Sequence, residues 1–183
     1  MQISKGIRTR LGQYRFVKEM KKIHRKPEIV NFNEAAKIGL LYDATDVRDS
    51  ETIKNYVKTL RSNSKKDVLA MGFIDRKKPE ASQFAQFGLD YFSRKDLSFQ
   101  MIPSDPIVHN FINEKFDILI NLNIGKSFPL RYIAARSKAK FKVGCFSQSN
   151  TESLDMMVKL DAGTPLKTII EEIEHFLKII HKP

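Results

Sequence analysis

Cysteine is nearly absent from this chain of 183 residues: Cys145 is the only one. One thiol can form no internal disulfide and no thiolate metal cluster, which fits a reducing compartment and a cytoplasmic protein. Tryptophan is missing altogether, and with it the side chain best suited to anchoring at a lipid interface. No apolar run approaches the ~20 residues of a membrane span. The basic N-terminus is not followed by the continuous apolar stretch of a secretory signal peptide, although its Arg-rich, acid-poor composition is also that of organelle transit peptides.

Catalytic signatures are missing too. The histidines, His24, His109, His175 and His181, stand in no metal-binding spacing with one another, with Cys145 or with an acid pair. There is no G-x-S-x-G elbow. Gly125-Lys126-Ser127 has the strand-to-helix context of a phosphate loop, but a complete loop needs a glycine where Ile120 stands, and Pro129 removes one helix N–H. Cys145 follows Gly144 and reads as a small core residue. These absences imply a non-catalytic protein that carries no metal and no cofactor.

Acidic residues are scarce at one end. Residues 1–27 hold nine Lys/Arg against Glu19 alone, or +8 of the total +11. The remaining 156 residues carry 23 basic and 20 acidic side chains, or +3. A field concentrated in this way implies an anionic partner. Ile3, Ile7, Leu11, Tyr14, Val17, Met20 and Ile23 recur at spacings of three or four and predict an amphipathic helix that Pro27 ends. The expected organisation is a basic N-terminal helical arm over 1–27 and a single α/β domain over 28–183.

In that domain, apolar runs alternate with helical patterns. Strands are expected at 38–43, 68–73, 118–122 and 141–145, with another at 154–160 and an edge strand near 89–92 beside a short helix at Phe84. Asp49 or Ser50 offers a cap for the helix whose core face is Ile53, Tyr56, Val57 and Leu60. Asp105-Pro106 starts another helix. A helix follows over about 127–137, and Thr164-Pro165 opens the last one, with Leu166, Ile169, Ile170, Ile173, Phe176, Leu177 and Ile180 on its apolar face. Strand–helix alternation predicts a Rossmann-like, mainly parallel sheet flanked by helices.

Two groups of residues could carry chemistry. Asp43, Asp46 and Asp49 follow the first strand, where ligands bind in open α/β sheets and where acids also complement a helix N-terminus. The span 126–142 holds Lys126, Arg131, Arg136, Lys138, Lys140 and Lys142 with no acid, interleaved with Phe128, Tyr132 and Phe141. Cations among aromatics suit single-stranded RNA. The alternating Lys138, Lys140 and Lys142 would also protect an edge strand.

The stretches 37–56 (KIGLLYDATDVRDSETIKNY) and 115–144 (KFDILINLNIGKSFPLRYIAARSKAKFKVG) resemble the first half of heptosyltransferase-type glycosyltransferases, which have two Rossmann-like halves. The resemblance makes Asp46-Val47 the counterpart of the family's Gly-Asp-Val turn, whose Asp is taken as the catalytic base. Thr45 replaces the glycine, and Asn121 stands where a second acid would be. The second, sugar-nucleotide-binding half has no counterpart here, so the resemblance supports the fold and not the transfer. The whole chain also resembles a group of small uncharacterised bacterial proteins of this organisation.

The leading expectation is an RNA-binding protein, ribosome-associated in one version. Its phosphate contacts would come from Lys5, Arg8, Arg10, Arg15, Lys18, Lys21, Lys22, Arg25 and Lys26 of the arm and the six cations of 126–142. The alternatives are a small ligand-binding or glycosyltransferase-like domain using Asp46, and a peripheral protein whose arm lies on an anionic membrane.

Overall fold

The apolar runs pair side by side into one sheet. The computed structural model describes residues 5–21, 23–80, 83, 85, 86, 88–123, 127–161 and 163–181. Its strands are β1 (Lys37–Asp43), β2 (Asp67–Ile74), β3 (Leu89–Ser93), β4 (Ile118–Asn121), β5 (Phe141–Cys145) and β6 (Met156–Val158). They run in the order β3-β2-β1-β4-β5-β6, and every pairing is parallel. The chain winds outward from β1 to β3, then crosses back to β4, so the winding reverses between β1 and β4.

Helices cover both faces, as a buried parallel sheet requires. They are α1 (Lys5–Met20), α2 (Val47–Ser64), α3 (Pro106–Asn113), α4 (Phe128–Arg136) and α5 (Leu166–Ile179). Successive residues of β1 point to opposite sides. Leu40 joins a core with Ile53 and Val57 of α2 and Ile169 and Ile173 of α5. Leu41 joins a second core with Val108 and Phe111 of α3, Leu130 and Ile133 of α4, and Phe16 of α1. Asp105 caps α3, accepting from the Ile107 amide at 2.9 Å, with Pro106 at the start of the helix.

Several local expectations are corrected. The cap of α2 is Asp46, not Asp49 or Ser50; Asp49 falls in the first turn and Ser50 is buried. The strand expected at 154–160 is confined to Met156–Val158, because the Leu154 amide is drawn into a turn by the Asn150 carbonyl at 3.1 Å. Phe176 stays exposed on α5. The helix expected near Phe84 centres on a residue outside those described. β5 is interior, flanked by β4 and β6, and holds only Lys142 of the three lysines, so they do not guard an edge.

The arm departs furthest from its pattern. α1 stops at Met20, well short of Pro27. Beyond it, the Glu28 amide donates to the Lys140 carbonyl at 3.1 Å, and Arg25 donates to the Lys140 and Ala139 carbonyls at 2.6 and 3.1 Å. These tertiary hydrogen bonds hold the connector extended against the start of β5. The apolar stripe also faces outward: Ile7, Leu11, Tyr14 and Val17 are 53%, 44%, 64% and 42% exposed. The buried side of α1 is Gly12 and Phe16.

Candidate nucleic-acid interface

Gly12 decides which side of α1 faces the body. A Cβ there would lie 2.1 Å from the Gln100 carbonyl oxygen and 2.8 Å from the Phe128 ring. Only a glycine lets the helix come this close. One turn later, Phe16 inserts between Phe128 and Tyr132, with centroid distances of 6.0 and 6.1 Å. Polar contacts complete the docking. Lys5 pairs with Asp75 at 2.8 Å, and Arg8 donates to the Phe99 carbonyl at 2.8 Å.

Glu19, the one acid of the arm, is a hub. It accepts from Arg15 at 2.8 Å and from the Tyr132 hydroxyl at 3.1 Å, and lies 3.6 Å from Arg136. Burial pushes its carboxyl up, but the Arg15 and Tyr132 hydrogen bonds and the Arg136 charge win and hold it below the usual range. Arg25 is a clasp: besides its two carbonyl bonds it pairs with the Asp155 carboxylate. Arg15 and Arg136 therefore share one carboxylate, and Arg25 grips the backbone beside Lys138 and Lys140. The arm and the basic span before β5, more than a hundred residues apart, form one surface.

The fifteen cations named from sequence divide accordingly. Arg10, Lys18, Lys21, Lys26 and Lys138 have exposed side chains. Lys18 rests over the Tyr14 ring at 4.6 Å. Lys140 pairs with Asp117 at 2.8 Å and is half exposed, and Arg136 is likewise partly exposed. Lys5, Arg8, Arg15 and Arg25 serve the docking of the arm. Arg131 is drawn inward between Phe16 and Phe128. Lys142 is not on the surface: it is 3% exposed and donates to the Ala135 carbonyl at 2.8 Å. Lys22 and Lys126 lie outside the described residues, and so does Gly125; of the Gly125-Lys126-Ser127 loop only Ser127 is described. Sequence reasoning missed Gly12, Phe16 and the clasp role of Arg25. A glycine within a helical pattern was the one available signal of close approach.

A second feature sits where the winding reverses. A cleft of about 590 Å³ opens at the carboxyl ends of β1 and β4, lined by Asp43, Thr45, Asp46, Arg48, Asp49, Arg76, Leu122 and Leu166 among others. Asp46 accepts from the Arg48 amide at 2.9 Å and pairs with its guanidinium at 2.7 Å. The Arg48 hydrogen bonds pull its carboxyl down to about 2. A carboxylate held ionised in this way is a poor general base near neutral pH. Thr45 accepts from the Asp75 amide at 2.9 Å. Replacing Asp46 by alanine is expected to lower the chemical-denaturation midpoint through loss of the α2 cap; an unchanged midpoint would contradict the capping role. Cys145 is buried, and burial pushes its thiol up to about 11, away from a reactive thiolate. Among the described residues no group of three His, Cys, Asp or Glu side chains could hold a metal ion, and no helix is long and apolar enough to cross a membrane.

A family model matches residues 8–180, from the arm to the end of the last helix. The chain belongs to the family of unknown function DUF6913. No curated protein matches it. Among solved structures, it is similar to a glycosyl transferase family 9 protein from Veillonella parvula DSM 2008, with a TM-score of 0.55 and 14% identity over 84% of this chain. It spans 43% of that protein's length. A S. aureus homoserine dehydrogenase also aligns, with a TM-score of 0.33 and 14% identity over 77% of this chain and 30% of its own. At such identities the first likeness speaks for the Rossmann-like fold alone.

Proposed function

We propose that this DUF6913 protein is a non-catalytic, cytoplasmic RNA-binding protein. The observation that carries the reading is the union of two basic segments into one surface, through the Arg25 clasp and the shared Glu19 carboxylate. Lys21, Lys26, Arg136, Lys138 and Lys140 would contact phosphates, which positions a strand without reading its bases. Tyr14, exposed beside Lys18, adds one aromatic face for stacking. Ribosome association is the version in which the strand belongs to rRNA.

The test is RNA affinity over a salt series. Each phosphate contact on a single strand contributes a log–log slope of about −0.7. Changing Lys21, Lys26 and Lys138 to Gln together is expected to flatten the slope by about 2, and to weaken binding at low salt by roughly one to two orders of magnitude. Wild-type protein with no salt-sensitive RNA affinity, or a triple variant with an unchanged slope, would refute the reading. Sedimentation of lysate with and without RNase then asks whether the partner is a ribosomal particle.

One observation favours a second reading. The outward face of α1 shows Ile7, Leu11, Tyr14 and Val17 among Arg10, Lys18 and Lys21, with no acid on it, a composition that suits an anionic lipid surface. On that reading, the protein partitions onto anionic vesicles and Leu11→Asp abolishes the partition. RNA affinity should be unaffected by the uncharged Leu11→Gln, which still weakens the partition, so the two measurements separate the partners.

A further inference from the structure

Arg131 is a cation folded inward with no carboxylate in ion-pair contact among the described residues. It lies four residues after Ser127, so both side chains rise from one face of α4, and a long helical side chain leans back toward the N-terminus of its helix. Its guanidinium carbon sits 5.3 Å from the Phe16 centroid and 5.5 Å from that of Phe128. Among the described residues its one hydrogen bond, to the Ser149 carbonyl, is long at 3.4 Å. Nε is shielded from solvent and has no partner. Arg15, Arg25, Arg48, Arg76, Arg94 and Arg136 each rest on a carboxylate; Arg131 makes no such pair among the described residues. Burial pulls its guanidinium below the usual value, and the charge of Glu152 only partly offsets this.

The Ser127 hydroxyl is the second unfilled group. It is buried, bonds to nothing, and leaves the first turn of α4 without a side-chain cap. Ser127 and Arg131 line the same cavity, of about 380 Å³, which is closed by Gln13 of α1 and by Ser147, Ser149 and Asn150 after β5. Leaving a partly desolvated cation and a buried hydroxyl unmet is costly, and an anion removes both costs at once. The planar guanidinium fork fits tetrahedral oxyanions, and a hydroxyl beside it adds a further donor.

We propose that this cavity binds a phosphate group, gripped by the Arg131 guanidinium and the Ser127 hydroxyl. The group is free inorganic phosphate or the terminal phosphomonoester of a larger molecule. Because the cavity is lined by Gln13 of α1 as well as by Phe128 and Arg131 of α4, its occupant also ties α1 to α4.

Thermal unfolding with inorganic phosphate, against chloride at matched ionic strength, tests the site. Phosphate at about tenfold over its Kd is expected to raise the midpoint by roughly 3 °C. Ser127→Ala should lose most of this rise and Arg131→Gln all of it, while Arg131→Lys keeps part. The Lys21, Lys26 and Lys138 triple Gln variant should keep the full rise, which separates this site from the RNA surface. No phosphate-specific rise in the wild type would overturn the proposal. So would a rise retained in both Arg131→Gln and Ser127→Ala, or one lost in the triple variant. If the rise is present, a 5′-phosphorylated oligonucleotide competing better than its 5′-hydroxyl twin identifies a strand end as the source, and equal competition identifies free phosphate.

Discussion

Alanine at Gly12 is expected to lift α1 off the body of the protein. In a free helix the same change stabilises by about 1 kcal/mol. Here the new methyl would meet the Gln100 carbonyl oxygen at 2.1 Å and the Phe128 ring at 2.8 Å. A backbone carbonyl cannot swing away as a flexible side-chain end can, so the helix must retreat. Retreat withdraws Phe16 from Phe128 and Tyr132, and exposing a buried Phe costs roughly 2–3 kcal/mol. Arg8 and Lys5 would lose their partners across the same seam. The expected result is a net destabilisation of about 2 kcal/mol or more, with hydrogen exchange and proteolysis accelerating in α1 before the rest of the chain unfolds. Gly6→Ala, on the exposed side of the same helix, should instead stabilise it slightly. If α1 amides in Gly12→Ala stay as protected as in the wild type, the docking described here is wrong.

Lys142→Met is expected to make the protein more stable at neutral pH and to change how stability depends on pH. Lys142 is buried beneath the last turn of α4, its ammonium held by the Ala135 carbonyl. Burial first, and then the Arg25 charge, pull its pKa down to about 7, with Asp155 opposing. In the unfolded chain the group titrates near 10.4. Between these values the unfolded state binds the extra proton, so the Lys142 contribution to stability rises with pH from about 7 to about 10. Below about 7 the ammonium is charged in both states and its full burial penalty is present. At about 1.4 kcal/mol per pH unit, the wild type should recover on the order of 4 kcal/mol across that window. Methionine keeps the length of the side chain and carries no charge, so the variant should lack this rise and exceed the wild type at pH 6–7 by roughly 2–4 kcal/mol. Denaturation midpoints of the two proteins at pH 6, 8 and 10 measure the difference directly. Parallel curves would mean that Lys142 takes up its proton alike in the folded and unfolded states, and therefore reaches water.

The strands were legible because a parallel sheet is buried on both faces, so KIGLLYD, DVLAMGFI and ILIN carry apolar residues regardless of alternation. Asp105-Pro106 was legible because capping is a local interaction that needs no distant partner. The cap of α2 was misplaced by one turn, since Asp46, Asp49 and Ser50 all have the right chemistry. Only the path of the chain out of β1 puts Asp46 at the boundary. Lys138, Lys140 and Lys142 look equivalent as a string. β5 begins at Phe141 and takes an interior place in the sheet, which turns Lys142 inward and leaves the other two outside.

What the sequence by itself determined is the architecture and the charge. Runs of Val, Ile and Leu between helical periods, with caps and prolines at their ends, specify α/β layers through interactions that span only a few residues. The placing of nine cations against one acid in residues 1–27 belongs to composition alone. Tertiary structure decided how those charges are used. Periodicity marked Ile7, Leu11, Tyr14 and Val17 as one apolar stripe of α1 and left open whether it packs on the body; the fold turns it outward and buries Gly12 and Phe16. The physical reason is that hydrophobicity is additive along a helix, whereas docking depends on shape: one position without a Cβ, opposite a carbonyl some ninety residues away, sets the distance of approach and with it the face. Arg25 and Glu19 then join two basic segments because their partners, Lys140, Asp155 and Arg136, lie over a hundred residues further along the chain.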